Sequence, residues 1–425
     1  GAEGALAQWV INSGSSPING LIGAIFAVLI LSMRWFGGFA QGLINSRGGL
    51  TWLATLLARR QLRDDAELPA APLPASTLRA ITSGALQQLN FDSEIQSIQE
   101  RYRLWKQDPR RGLVALTGDR GVGKLVLMGH LEKTLDGPCT QAIAPINHTQ
   151  ENQALSWLAA VAQVDEETNS EALVESLKKK PPSIFLLSNL HRLFLRAVGH
   201  YQGLDAVLKV MQATARHHFW VGSFHHPAWG FLEGMSHVGH VNVFSQRIHL
   251  GAFNPPDLSQ WLTAQTRKAG LEPHFDALLQ KNVVGPDRVR MLERAERAYW
   301  RLLTDAAQGN PSVSMRLWMS SLRPSNHAEN AALVGLFKSH ETEELEQLQD
   351  DELFALTAII IHEDLTVHEL HIVLNLSEPR VRALCRGLEQ RTLITETESG
   401  RYKVRLNWLP AVERHLRRRS FMHKG

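Results

Sequence analysis

The 425-residue chain is 44% hydrophobic and 20% charged, the balance of a globular protein, which excludes a disordered or collagen-like chain. Its net charge of +3 makes no whole-molecule case for nucleic acid or acidic substrates, so any basic partner surface must be local. Two cysteines, Cys139 and Cys385, lie far apart without CxxC or Cys/His spacing, which argues against a disulfide framework or a structural zinc site and suits a reducing compartment.

In chain order, residues 1–17 carry no Lys or Arg and read as an extracytoplasmic stub; the chain starts at Gly1 rather than Met, as expected where an upstream portion precedes it. Residues 18–43 form a long apolar run whose only charge is Arg34, enough for one transmembrane helix of about 20 residues with Trp35 at the interface. A buried core helix or a signal peptide is the competing reading. Arg34, Arg47, Arg59, Arg60 and Arg63 follow the run, so the positive-inside rule predicts a single-pass protein of the inner membrane with its soluble domains in the cytoplasm. Residues 44–78 hold Leu50, Leu53, Leu56 and Leu57 at helical spacing, which predicts an interfacial helix or one packed on protein, and then a Pro/Ala-rich tether.

The soluble body is expected to begin with an α/β domain at 79–252. Strands are predicted at "GLVAL", "TQAIAPI", "SIFLLS", "HFWVGSF" and "QRIHLGAF", with helical stretches between them, an alternation that predicts a mainly parallel sheet covered by helices. The first strand runs into Gly118, Asp119, Arg120, Gly121, Val122, Gly123 and Lys124, the G-x-x-x-x-G-K spacing of a phosphate-binding loop, and a helix follows. That order suits an anion, because backbone N–H groups and the helix N-terminus point at it while the glycines let it come close. The next position, which the motif gives to Ser or Thr, is Leu125.

Phosphoryl transfer to water also needs an acidic residue on the metal and a group that positions the water. Those acids belong at the end of the "IFLL" strand, where Ser188 and Asn189 stand, and Asp205 and Glu233 are too distant in sequence to replace them. The residues therefore point to a phosphate cradle without metal-gripping oxygens. A metal held by groups from elsewhere in the chain stays open. The histidines at 217, 218, 225 and 226 and at 362, 368 and 371 lack a supporting Cys or carboxylate pattern, so no metal site is expected.

These motifs resemble the AAA+ ATPase family, in its replication-initiator-like and membrane-anchored bacterial branch. "GDRGVGK" is similar to its Walker A loop, "SIFLLSNLHRLF" to a Walker B segment with both acids replaced, and "FWVGSF" to a sensor-1 strand with Ser223 at its polar tip. "GNPSVSMRLW" resembles the sensor-2 helix of a helical lid at 253–345, with Ser312 where an Arg is common and Arg316 displaced. Arg247 stands where a trans-acting arginine finger could lie. Residues 346–425, three helices and a hairpin turning at Ser399 and Gly400, resemble a winged helix whose third helix carries Arg380, Arg382, Arg386 and Arg391.

The resemblance implies ring-type assembly and a bound ATP or ADP, here with weak or no Mg2+ coordination. The expected function is a membrane-anchored, catalytically inert AAA+ pseudo-ATPase, a scaffold or regulatory subunit beside an active AAA+ paralogue or another membrane-complex subunit. An active membrane-anchored ATPase and a membrane-tethered winged-helix DNA-binding regulator are the alternatives, and nucleic acid is not the favoured partner.

Overall fold

The computed structural model describes residues 72–108, 112–164, 169–235, 241–279, 285–325, 328, 330–337 and 343–422. The expected transmembrane run at 18–43, the stub before it and residues 44–71 lie outside the described residues; the end of the expected tether is described, and from Ala75 it is helix. Among the described ones, no helix is long and apolar enough to cross a membrane.

Five strands, β1 (Leu113–Gly118), β2 (Cys139–Ile143), β3 (Ile184–Ser188), β4 (Phe219–His225) and β5 (Gln246–Leu250), form one sheet in the order β2-β3-β4-β1-β5. Every neighbouring pair is parallel. β1, β3 and β4 are buried along their whole length. Continuous apolar strands of this kind form where both faces of a parallel sheet are covered.

Ahead of the sheet come α1 (Ala75–Thr82), which packs on the lid helix Pro255–Lys268, and α2 (Asp92–Gln107); α2 covers the sheet together with α3 (Lys124–Thr134), α4 (Glu151–Ala162), α5 (Ser170–Lys179), α6 (Gln202–Thr214) and α7 (His226–Gly234) between its strands. Phe185 and Trp220 stack at a centroid distance of 4.3 Å in the core, beside Leu155, Leu158 and Val207. On the opposite face α2 lays Trp105 against Phe219 and donates its indole N–H to the Ala215 carbonyl at 3.0 Å.

The lid contains α8 (Pro255–Lys268), α9 (Pro286–Ala307) and α10 (Pro311–Ser321), packed around Trp300 and Trp318, whose rings stack at 4.8 Å. It is not purely helical. A three-stranded sheet, β6 (Glu272–His274), β7 (Leu322–Pro324) and β8 (Ala331–Val334), closes its far side in the order β6-β8-β7. Strands of three or four residues are too short for the alternation that would reveal them in a sequence.

The C-terminal part begins with α11 (Glu343–Glu346) and α12 (Asp350–His362), followed by β9 (Leu365–Thr366), α13 (Val367–Leu374), α14 (Glu378–Gln390), β10 (Ile394–Glu396), β11 (Arg401–Val404) and α15 (Leu409–Arg418). Its three strands pair antiparallel in the order β10-β11-β9, and Gly400 turns the hairpin at φ 71°. Thr366 and Glu369 form a reciprocal capping box on α13. Ser377 holds the N-cap position of α14 but makes no side-chain cap bond. The two bodies interdigitate: Ile361 of α12 packs into the core of the large sheet, and Leu195 packs into the C-terminal core.

Candidate functional site

The phosphate-type loop sits at the C-terminal end of β1, between its two sheet neighbours, which is where ligands bind in open parallel sheets. Gly121 at φ 87° and Gly123 at φ 103° take left-handed backbone that a side chain would strain. A Cβ on Gly123 would come within 2.6 Å of the Phe91 ring, and one on Gly121 within 2.8 Å of Ser312. The tight packing has a source in the lid. Asn310 caps α10 by accepting from the N–H groups of Ser312 and Val313, and its own amide donates to the Arg120 carbonyl at 2.7 Å. The Ser312 hydroxyl donates to the Gly121 carbonyl at 2.7 Å. The position where a sensor-2 arginine was expected near the phosphates thus clasps the loop backbone, while Arg316 stands close enough to Arg120 to repel it.

Lys124, the first residue of α3, is buried and donates to the Gly118 and Asp119 carbonyls at 2.7 and 2.9 Å. Burial depresses its pKa, and the charges of Glu363 and Asp119 oppose that. Glu363 is a residue that sequence reasoning missed. It follows α12, in left-handed backbone at φ 66°, and its carboxylate enters the region facing the ends of β3 and β4. Its oxygens lie 3.6 Å from His191 Nε2 and 3.8 Å from His225 Nδ1. Burial raises its pKa, but His191, His225 and Lys124 outweigh burial and hold the carboxyl well below the usual carboxylate range.

Desolvation weighs against charging either imidazole. His191 Nδ1 accepts the His225 N–H at 3.2 Å, and desolvation lowers the pKa of His191 and brings that of His225 to about 3. Glu363 is the carboxylate of this cluster, and nothing in the residues around "IIIHEDL" marks it as such. A polar residue directly after a long apolar helix is an ordinary helix end.

Ser188 is fully buried at the end of β3 with no hydrogen-bond partner for its hydroxyl. Asn189 turns the chain at φ 60°, and its N–H donates to the Ser223 hydroxyl at 3.0 Å. Ser188, Asn189 and Ser223 thus lie together at the strand ends, but they bring no carboxylate there. Leu125 is 46% exposed, so it leaves the loop without a hydroxyl rather than filling the pocket. Arg247 on β5 pairs with Glu233 at 3.3 Å and lies over the Trp229 ring, an intrachain engagement.

On the other side of the loop, Arg120 donates to the Val404 carbonyl of β11 at 2.9 Å. Glu413 of α15 is buried near Asp119, and burial with that like charge raises its pKa to about 8. His218 and His362 are also buried; the His362 Nε2 accepts the Arg196 N–H at 3.2 Å and its pKa falls to about 3 through desolvation. Of the arginines on and just after α14, Arg380 pairs with Asp351, Arg382 with Glu378 and Arg391 with Glu352, while Arg386 donates to the Arg382 carbonyl at 3.4 Å.

The residues fit a phosphate group better than a metal. Loop amides, Lys124 and a glycine backbone can meet an anion, and a groove of about 850 Å³ lined by Phe91, Phe253 and Trp261 opens beside the loop, where Phe91 touches Gly123. For Mg2+, which requires several hard oxygens in octahedral array, the strand ends offer Ser188 and Asn189. Among the described residues, no group of three His, Cys, Asp or Glu side chains is placed to hold a metal ion.

No protein-family model and no curated protein sequence matches the chain. Among solved structures it is similar to the ORC2 protein of Aeropyrum pernix in ADPNP–ADP complexes, at 12% identity and TM-score 0.37 over 81% of this chain and 98% of that one. It is similar to the RuvB Holliday junction branch migration motor of Thermotoga maritima at 13% identity and TM-score 0.36, over 77% and 98%. It is also similar to the Aeropyrum pernix ORC1 protein in complex with DNA, at 15% identity and TM-score 0.37, over 81% and 97%.

Proposed function

We propose that this chain is a membrane-anchored AAA+ protein with a winged-helix C-terminus, in which the nucleotide site no longer hydrolyses ATP and serves as a structural and regulatory joint. The observation that carries this reading is the end of β3: a buried, unpartnered Ser188 and a turning Asn189 stand where the sheet of an ATPase presents its acids. Losing one preorganised electrostatic partner removes about 3 to 4 kcal/mol of transition-state stabilisation. Here the metal hydroxyl at 125 and both strand-end acids are replaced together, which leaves negligible turnover.

The loop, Lys124 and the adjoining groove would still take ATP or ADP, with little help from Mg2+. In an inner-membrane assembly, anchored through 18–43 with its soluble domains in the cytoplasm, the chain would act as scaffold or regulator beside an active AAA+ paralogue or another membrane subunit. Glu363 favours a second reading, an active ATPase whose carboxylate comes from the C-terminal domain. Phosphate release from ATP, measured on the full chain in lipid nanodiscs, separates the two. The proposed function predicts no release above that of Lys124→Ala; Mg2+-dependent release abolished by Lys124→Ala overturns it and favours the active enzyme.

A further inference from the structure

The groove beside the phosphate loop takes one of its walls from the first part of the described chain. Residues 83–91 run from α1 to α2 as a strap: Gly84 turns the backbone at φ 66°, Leu86–Gln88 make a single 3-10 turn, and Gln88, Leu89 and Phe91 line the groove. Phe253 and Trp261 face them, and the Phe91 and Phe253 rings meet edge to face at 6.0 Å. Two side chains of α8 hold the strap in place. Trp261 Nε1 donates to the Ala85 carbonyl at 2.9 Å, and Gln265 Nε2 donates to Gln88 Oε1 at 2.6 Å. α1 packs on the same helix, with Ile81 and Ala85 buried, yet α1 itself lies outside the groove lining. The strap also bears on the phosphate loop, since a Cβ on Gly123 would meet Phe91 at 2.6 Å and Leu89 at 3.4 Å.

We propose that the strap is a latch worked by the groove: a nucleoside di- or triphosphate seated there locks α1 and the strap onto the lid, and docking of α1 in turn tightens the nucleotide. A ligand in this groove lies between a wall on the strap and a wall on α8, so its full contact exists only while the two are docked. A ligand that binds the docked form better than the undocked one stabilises docking by that difference. By linkage the effect is reciprocal, and whatever pulls α1 off the lid weakens the nucleotide. Phe91 extends the coupling to the phosphate end, because it packs on Gly123 at the N-cap of α3. Occupancy of the site thus sets how firmly the chain leading into Ala75 is fixed to the lid, a readout of nucleotide that needs no chemical step.

The inference rests on the reading that the loop and groove take a nucleotide, and the test tells the two apart. ADP binding by equilibrium dialysis and amide hydrogen exchange are measured on the full chain in nanodiscs, for wild type, Ile81→Ala and Ile81→Leu, each checked for folding by thermal unfolding. ADP near saturation should slow exchange in α1 of wild type by about fivefold or more, the lower end of ordinary allosteric couplings. Because α1 lies outside the groove, ligand contact alone would leave its exchange unmoved. Ile81→Ala empties a buried position of α1 without touching the groove lining, so it should speed exchange in α1 and weaken ADP by about fivefold or more. Ile81→Leu keeps the volume and should stay near wild type. Wild type that binds ADP with exchange in α1 unchanged or faster overturns the latch, and does so even if both variants unfold. A folded Ile81→Ala with a loosened α1 and undiminished ADP affinity overturns it as well. Wild type that binds no ADP at all sinks the nucleotide reading itself, and the latch with it.

Discussion

Asn310→Ala should expose how firmly the lid holds the phosphate loop. Its side chain performs two separable tasks: Oδ1 accepts from Ser312 and Val313 as the cap of α10, and Nδ2 donates to the Arg120 carbonyl. Loss of an Asn cap costs about 1 kcal/mol, and loss of a hydrogen bond to a buried carbonyl about 1 to 1.5 kcal/mol, more where the acceptor stays dry. The sum, about 2 to 3 kcal/mol, is roughly a 30- to 150-fold change in the equilibrium. Asn310→Asp keeps the cap oxygen and removes the donor, so it should show the loop part alone. The assay is hydrogen exchange of the amides at 119–123 together with urea unfolding. Asn310→Ala should speed exchange of the loop and shift the midpoint, and Asn310→Asp should speed the loop nearly as much with a smaller shift. A loss below about 0.5 kcal/mol, the range of surface changes, with unchanged loop exchange would refute the clasp.

Three further outcomes follow from the same contacts. His225 and His362 have folded pKa values of about 3 against an ordinary 6.5, so the unfolded chain binds more protons between those values; their stability is present above pH 6.5 and lost as pH falls, by up to about 1.4 kcal/mol per pH unit for each. Glu413 has the opposite sign: its folded pKa of about 8 lies above the ordinary 4.5, so its contribution is full at low pH and lost as pH rises through 8. Thermal unfolding should therefore show greatest stability near pH 6.5, and Glu413→Gln should flatten the alkaline limb and steepen the acid limb above pH 4.5; an acid limb without slope would contradict the buried neutral histidines. Tyr299→Phe, which removes the 2.6 Å bond to Ser321 in the lid core, should cost about 1 kcal/mol in urea unfolding, and a neutral result would show that bond to be absent in solution. Because Arg380, Arg382 and Arg391 are compensated by Asp351, Glu378 and Glu352, the full chain should not shift duplex DNA in a gel at low salt, whereas a salt-sensitive shift lost on joint neutralisation of Arg380, Arg382 and Arg386 would revive the DNA-binding alternative.

The large sheet was legible because parallel strands buried on both faces write themselves as unbroken apolar runs, as "IFLL" and "FWVGSF" do, and because the glycine loop has few backbone solutions. That β3 ends at Ser188 with Asn189 after it could be read as well, since the end of an apolar run marks the end of a strand. The lid sheet could not be read, as its strands are too short to show a period. Glu363 escaped for a different reason. It is local to nothing it touches: it lies 239 positions after Lys124 and 172 after His191 in the numbering, and only the docking of one domain on another brings them together. Single-sequence patterns report which face of an element is buried, not which distant residue will be buried against it. Leu125 shows a subtler gap, because the substitution was visible but its exposed side chain was not.

The central claim is that the site has kept a cradle for phosphate and lost its grip on magnesium. ATP affinity of the full chain measured with and without Mg2+ tests it most directly. The account predicts two values within about threefold of each other, as expected when the protein adds no ligands to the ion. Tightening of about tenfold or more by Mg2+, lost on Glu363→Gln, would mean that the C-terminal domain supplies the metal ligand after all and that the site is built for chemistry.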